Sequence, residues 1–382
     1  MNDLGVSLHA HNGDSTFLAV ARRFNALDGQ LEVDPKYLSI GFGWPDRTDS
    51  PLRHIKRTIP VFGPYAASCA ETNDPFTGTL VEYGRLAHET LKKHLREHWD
   101  ATRPTLFCHS SGYDSRILSS ILAELRDEGF DLGRVHFRCR PPEERSFVSI
   151  MATQRWEPSQ YSVFRMPDTD PLDVGVWERP GVSPWLPVTS QINFWRDIVP
   201  YEDEKHWNLI GGSGGGEAVE YPSQPKPPTV PWQFCANKPL QRWFSYFPDG
   251  TDFAADVEAR FAKVLFPYFG AAHVRTIARL DDAFLGFHPS GCDNVRAAIL
   301  AACKYDVLET ARLPRTYAWS ISPARWDDME KKYAASAFLR ETPGAPPADV
   351  LIAMMKRDFF TSRSQAERIW RFAAVYEVAR AG

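Results

Sequence analysis

The chain has no run of 18 consecutive apolar residues, so none of its 382 residues belong to a segment with the length and polarity of a membrane-spanning helix. Its six cysteines, Cys69, Cys108, Cys139, Cys235, Cys292 and Cys303, are widely scattered and form no Cys-x-x-Cys pair and no cysteine–histidine arrangement that suggests zinc. That pattern excludes the common zinc modules and reads as reduced thiols. No block of lysine and arginine occurs, and 44 basic against 48 acidic residues give a formal net charge of -4. Both observations argue against a nucleic-acid partner. The opening MNDLGVSLHAHNGDS lacks the basic start and apolar core of a secretory signal, so we expect a cytoplasmic protein. What is present is the composition of a globular protein, with 43% hydrophobic and 24% charged residues. The length supports a large core, with two domains or one domain and an appendage. Twelve tryptophans and thirty prolines add the expectation of a loop-rich surface with aromatic-lined pockets.

Chemistry concentrates in residues 105 to 126, TLFCHSSGYDSRILSSILAELR. Thr105, Leu106, Phe107 and Cys108 are short and apolar enough for a buried parallel strand. Ser110, Ser111, Gly112, Tyr113, Asp114 and Ser115 then break the pattern, and Ile117, Leu118, Ile121, Leu122 and Leu125 recur at helical spacing. A strand, a small polar loop and a helix make an anion site, because the first-turn amides lack intrahelical acceptors and the helix dipole is positive at that end. Ser110, Ser111 and Ser115 add hydroxyl donors. Asp114 repels phosphate unless a divalent cation bridges the two.

The flanking sequence alternates strands with helices. Leu86, Ala87, Leu91 and Leu95 lie on one face of a helix predicted over Leu80 to Trp99, with Thr77 or Thr79 as its cap. Val135 to Cys139 reads as the next strand, Ser146 to Trp156 as a helix, Tyr161 to Met166 as a third strand, and Val188 to Ile198 as a helix feeding a strand over Trp207 to Ile210. This rhythm predicts an α/β fold with a doubly wound parallel sheet, whose ligand lies at the carboxyl ends of the strands. A second loop follows directly: Gly211, Gly212, Ser213, Gly214, Gly215, Gly216 and Glu217. So many glycines cost backbone entropy, which implies close approach to the main chain or unusual dihedrals. Residues 221 to 231 are proline-rich and read as an extended lid or surface loop. The last third is predicted helical, most clearly over Phe253 to Phe269, Asp293 to Cys303 and Ala366 to Arg380.

The segment Ser110 to Ser115 resembles the PP-loop of the N-type ATP pyrophosphatases, usually Ser-Gly-Gly-x-Asp-Ser, with Ser111 in place of one glycine. The second loop resembles the Gly-Asp-Gly-Gly-Asp-Glu motif of asparagine synthetase-like enzymes. Ser213 stands at its first aspartate, Gly216 at its second, which is a magnesium ligand, and Glu217 matches the glutamate. AACKYDVLETARLP is similar, with one residue inserted, to Met-Ala-x-Gly-x-Glu-x-Arg-x-Pro, which nominates Glu309. KKYAASAFLRE followed by LIAMMKRDF is similar to the passage from a helix to a loop bearing the family's catalytic lysine. It nominates Lys356, with Lys331, Lys332 and Arg357 as rivals. The similarity to asparagine synthetases and β-lactam-forming synthetases runs from about residue 35 to the C-terminal IWRFAAVYEVAR.

The resemblance implies a truncated glutaminase-like remnant over residues 1 to 75 and a synthetase domain over residues 76 to 382. In the family the glutaminase nucleophile is an N-terminal cysteine; here Asn2 follows Met1 and no cysteine precedes Cys69. It further implies an amide-forming ligase that adenylates a substrate carboxylate with ATP, releases pyrophosphate, and passes the acyl group to ammonia or an amine. Nitrogen then comes from a small-molecule amine, from ammonia, or from a separate ammonia-supplying partner. The implied ATP site comprises Ser110, Ser111, Gly112, Tyr113, Asp114 and Ser115, with Gly212, Ser213, Gly214 and Gly215, and Phe137 to Arg140 for the adenine. Mg²⁺ falls to Asp114 and Glu217, or to Glu220 in place of Glu217, or mainly to Asp114 and the phosphates. Glu309 would orient or deprotonate the amine, and Lys356 would neutralise charge as pyrophosphate leaves. Two other readings stand beside this one. One is a PP-loop enzyme that adenylates a carbonyl on a nucleotide or nucleic acid, although the basic stripe or sulfur-carrying cysteine pair of such enzymes is missing. The other is a nucleotide-binding scaffold without turnover, given the aspartates lost at Ser213 and Gly216.

Overall fold

A computed structural model describes residues 31–33, 75–139, 143–163, 198–199, 201–212, 214–216, 219, 261–305, 307–309, 323–358 and the helical positions 366, 369, 370, 372, 373, 376, 377 and 380. The fold is α/β, with five parallel strands in the order β3-β2-β1-β4-β5. In chain order these elements are α1 (Leu80–His98), β1 (Thr105–Cys108), α2 (Tyr113–Asp127), β2 (Val135–Cys139), α3 (Glu144–Thr153), β3 (Tyr161–Val163), β4 (Asn208–Gly211), β5 (Lys263–Leu265), α4 (Ala271–Ala278), α5 (Asn294–Ala302), α6 (Pro323–Ala334), α7 (Ala337–Glu341) and α8 (Ala348–Asp358). Among the described residues, no helix is long and apolar enough to cross a membrane.

Thr79 starts α1 through a capping box: its hydroxyl accepts from the Glu82 amide at 3.3 Å, and the Glu82 carboxylate accepts from the Thr79 amide at 2.7 Å. Leu91 and Leu95 carry the inner face of α1 into the core. Because strand side chains alternate, Phe107 of β1 joins Phe137 of β2 and Ile210 of β4 in the large cluster beneath α1 to α5, whereas Leu106 and Leu209 turn to the other face with Trp207 and Phe261. Apolar groups therefore cover both faces of the sheet, as a fully parallel sheet requires.

Helix α2 carries more polar groups inward than its stripe suggests. Glu124 is buried and accepts from Lys92 Nζ at 2.9 Å and from the Lys304 amide at 2.8 Å, with His88 Nε2 3.0 Å away. Burial resists the charged carboxylate, but these donors outweigh it and hold Glu124 below the usual carboxylate range. The network ties α1, α2 and the turn after α5 together.

The helix expected over Phe253 to Phe269 does not form where the chain is described. Lys263–Leu265 is instead the edge strand β5, with Leu209 in register with Val264. Phe261 and Leu265 mimic helical spacing, but Pro267 has no amide to give a helix and disfavours helical backbone at Phe266. Lys356 also departs from expectation, lying in the last turn of α8 rather than in a loop. Leu351, Ile352 and Met355 bury the inner face of α8 and leave Lys356 outside. The expected helix over Val188 to Ile198, apart from Ile198, and the proline-rich stretch 221 to 231 lie outside the described residues, as does most of the proposed remnant over 1 to 75. Within that remnant Leu31 is buried, and its carbonyl accepts from the Tyr376 hydroxyl at 2.9 Å.

Candidate functional site

Cys108 ends β1 and Gly211 ends β4, and the two residues are register partners in adjacent strands. The loops that follow therefore leave the sheet side by side. From β1 the chain moves to β2 and β3 on one side, while β4 and β5 lie on the other, so the loops emerge where the strand order reverses. That crevice is where open parallel α/β sheets bind ligands.

The two loops touch closely. A Cβ on Gly212 would lie 2.9 Å from Ser115 Oγ, and one on Gly215 would lie 2.4 Å from Asp114 Oδ1 and 2.8 Å from Tyr268 Cζ. The glycine-rich run is thus a steric requirement of the packing between Gly212, Gly215 and the first turn of α2. Gly214 also has φ of +108°, which L side chains rarely adopt. Ser213 and Glu217 lie outside the described residues.

Ser111, at the motif's glycine position, has φ of +50°. The serine keeps the left-handed backbone that glycine would adopt freely, at a cost of roughly 1 to 2 kcal/mol. Its surroundings hold it there: its amide donates to His109 Nδ1 at 3.0 Å, and its carbonyl accepts from Arg116 Nε at 2.9 Å. Because Nδ1 accepts, the neutral His109 ring carries its proton on Nε2 and donates to Ser119 Oγ, 3.1 Å away. The Ser119 hydroxyl donates onward to the Arg116 carbonyl at 3.2 Å. Ser110 and Ser115 complete the turn with hydroxyls 3.1 Å apart. Gly112, the cap of α2, offers the first-turn amides no side chain.

Burial, with a smaller contribution from the Arg116 guanidinium, depresses His109 to about 3. Burial likewise depresses His273, beneath Tyr268, to about 3. Below pH 6.5 the unfolded chain takes up protons on these rings that the folded chain refuses until near pH 3. Their stabilising contribution is complete above pH 6.5 and falls by roughly 1.4 kcal/mol per pH unit for each ring as the pH drops through that window. The urea midpoint should therefore decline between pH 6.5 and pH 5, above the ordinary carboxylate range, and His109→Asn should flatten the decline. A midpoint that stays constant over this interval would contradict the buried neutral rings.

Two guanidiniums frame the loop. Arg116 is fully buried, and besides Ser111 it donates through Nη1 to the Val307 carbonyl at 2.6 Å. Arg296 donates through Nη1 to the Asp114 carboxylate at 3.3 and 3.4 Å and through Nε to Asp293, the cap of α5. Burial opposes the Arg296 charge, but Asp114 and Asp293 outweigh it and keep the guanidinium more firmly protonated than usual. Both guanidiniums lie near the Tyr113 ring, whose centroid is 5.0 Å from the Arg116 guanidinium carbon and 5.8 Å from that of Arg296. Cys292 is pushed up to about 12 by burial and by Asp293, so its thiol stays protonated.

These contacts decide how a protein-held metal fits. A divalent ion on Asp114 would have to share the carboxylate with the Arg296 guanidinium, whose like charge opposes it and which already donates to both carboxylate oxygens. Gly216 supplies no ligand where the resembled motif has one. Among the described residues, three metal-ligating side chains come close enough to share an ion at His88, Glu124 and Cys303, away from the loop. Lys92, His88 and Lys304 already engage Glu124 there. The described residues of the two loops offer one carboxylate, Asp114, already engaged by Arg296, and do not by themselves make a resident magnesium site.

The nominated residues divide. Ser110 to Ser115 and Gly212 to Gly215 come together wherever they are described. Glu309 is exposed but directly follows Val307 and Leu308, whose carbonyls accept from Arg116, so its segment is clamped to α2. Phe137 lies in mid-strand, paired with Phe107 and Tyr161, and its ring is buried against Trp156. Only the strand end beyond it reaches the carboxyl edge of the sheet. Lys356 is exposed, with its ammonium 5.7 Å from the Trp326 ring centroid, and no described hydrogen bond or ion pair joins it to the loops. Sequence reading missed Arg116, Arg296, Tyr268 and His109. Arg116 gave one signal, a lone charge next to an apolar helical stripe; Arg296 gave none, because Asp114 is 182 positions away. No protein-family model matches the chain, and no curated protein matches it.

Proposed function

We propose that the crevice between β1 and β4 is the nucleotide site of an ATP-dependent amide ligase with a doubly wound sheet of the PP-loop type. In this reading the enzyme adenylates a small-molecule carboxylate, releases pyrophosphate, and transfers the acyl group to ammonia or an amine. The observation that carries the reading is the seating of Gly212 and Gly215 on Ser115 and Asp114, two loops about a hundred residues apart that each matched a motif of the same enzyme family. A free carboxylate is a poor electrophile, and adenylation provides the leaving group.

The chain's own groups have distinct tasks. The first-turn amides of α2 and the hydroxyls of Ser110 and Ser115 grip the β- and γ-phosphates, so that pyrophosphate departs into a site already arranged for its charge. Arg116 fixes the left-handed turn at Ser111 that aims those donors. The close glycine contacts fix the second loop against Ser115 and Asp114, which holds the first turn of α2 in place. Glu309, on the segment Arg116 clamps, is the nominee for orienting the amine. Adenylation alone is tested by carboxylate-dependent exchange of labelled pyrophosphate into ATP. Exchange that requires one acid supports the reading, and no exchange with any acid while ATP binds would favour the non-catalytic scaffold.

Lys356 enters through the resemblance. Its replacement by alanine should leave ATP affinity within about twofold and lower turnover by about 100-fold, the usual loss for one charge-stabilising donor. Steady-state kinetics decide the matter: turnover within about twofold of wild type removes Lys356 from the mechanism and fits its position beside Trp326.

A further inference from the structure

Asp114 lies where phosphates would bind and carries the wrong charge for them. The resembled motifs solve this with a divalent cation shared between Asp114 and an aspartate at position 216. Here position 216 is glycine, which removes one negative charge, and Arg296 brings one positive charge onto Asp114. The described residues of the two loops thus hold one carboxylate, and Arg296 places one positive charge against it. Arg296 is also fixed in place, since its Nε and its amide both donate to Asp293 and its guanidinium lies over Tyr113. Among the described residues around the loop, Asp114 and Asp293 stand against Arg116 and Arg296, two charges of each sign.

We propose that Arg296 does the work of a protein-held divalent cation: it neutralises Asp114 and lets the Ser110 to Ser115 loop bind a pyrophosphate-bearing anion with no metal ion held by the protein's side chains. The inference rests on the reading of this loop as the phosphate subsite. A nucleotide that arrives with its own magnesium remains compatible with it, since that ion belongs to the substrate.

The test is calorimetry of the full chain with inorganic pyrophosphate, in EDTA and in magnesium. Wild type should bind in both buffers with affinities within about threefold. In EDTA, Arg296→Gln should weaken binding by about tenfold or more, because Asp114 would then face the phosphates uncompensated. Asp114→Asn should tighten it by about threefold or more by removing a like charge. Wild type and Asp114→Asn decide the question even if Arg296→Gln folds poorly. Manganese alone, followed by electron paramagnetic resonance, should not bind the wild-type loop. Pyrophosphate binding only with magnesium, lost in Asp114→Asn, would overturn the inference and leave the subsite reading intact. Absence of pyrophosphate binding in either buffer, to both wild type and Asp114→Asn, would overturn the two together.

Discussion

Gly215→Ala should lower ATP-dependent pyrophosphate release by about 100-fold or more while costing the fold about 2 kcal/mol. The new Cβ would lie 2.4 Å from Asp114 Oδ1, 2.7 Å from its Cγ and 2.8 Å from Tyr268 Cζ, all far inside van der Waals contact. None of these neighbours moves freely. Asp114 is held by Arg296, its carbonyl accepts from the Tyr268 hydroxyl at 2.9 Å, and Tyr268 packs edge-on to the buried His273 ring. The strain would pass into the first turn of α2, and a displacement near 1 Å there costs about two orders of magnitude in a positioned reaction. Gly215 is absent from the glycines with positive φ, so the effect is steric rather than conformational. Denaturant midpoints and single-turnover rates separate the two losses. A variant with nearly normal rate would mean that the close seating of the loops does not matter to the chemistry.

Arg116→Ala should be the most destabilising single change at the site, by about 4 kcal/mol. It removes one of the largest fully buried side chains, leaves a cavity between α2 and the turn after α5, and strips the donors from the carbonyls of Ser111 and Val307. The Ser111 turn would lose its restraint, and the Glu309 segment would lose its clamp. Arg116→Lys should recover less than half of the stability, because one ammonium cannot reach carbonyls on two segments. Urea unfolding measures both variants, and a loss below about 1 kcal/mol for Arg116→Ala would show that the guanidinium is not structural.

The parts of this molecule that sequence could reveal are those set by local rules. Thr105 to Cys108 and Val135 to Cys139 are strands as expected, and Thr79 caps the first helix as one of two candidates, because apolar runs, glycine punctuation and capping chemistry act within a few residues. The pairing of the two loops was legible only through their motifs; the register of Cys108 with Gly211 supplies the physical reason. The misreadings have local causes too. Over residues 261 to 269 an apolar spacing of four overrode the signal from Pro267, and at Lys356 a motif match outweighed a run that buries Leu351, Ile352 and Met355 as a helix. What could not be read were interactions between distant segments: the bond from Arg296 to Asp114, the clamp of Arg116 on Val307, and the left-handed serine that they help to fix.

Product analysis of ATP turnover tests the central claim most directly. The full chain is given ATP with magnesium and a pool of carboxylic acids, amines and ammonium, and the nucleotide and phosphate products are quantified together. The account predicts AMP and pyrophosphate in equal amounts, formed only when one particular acid is present and nearly eliminated in Gly215→Ala. ADP with orthophosphate, or AMP whose formation ignores every acid, would contradict it.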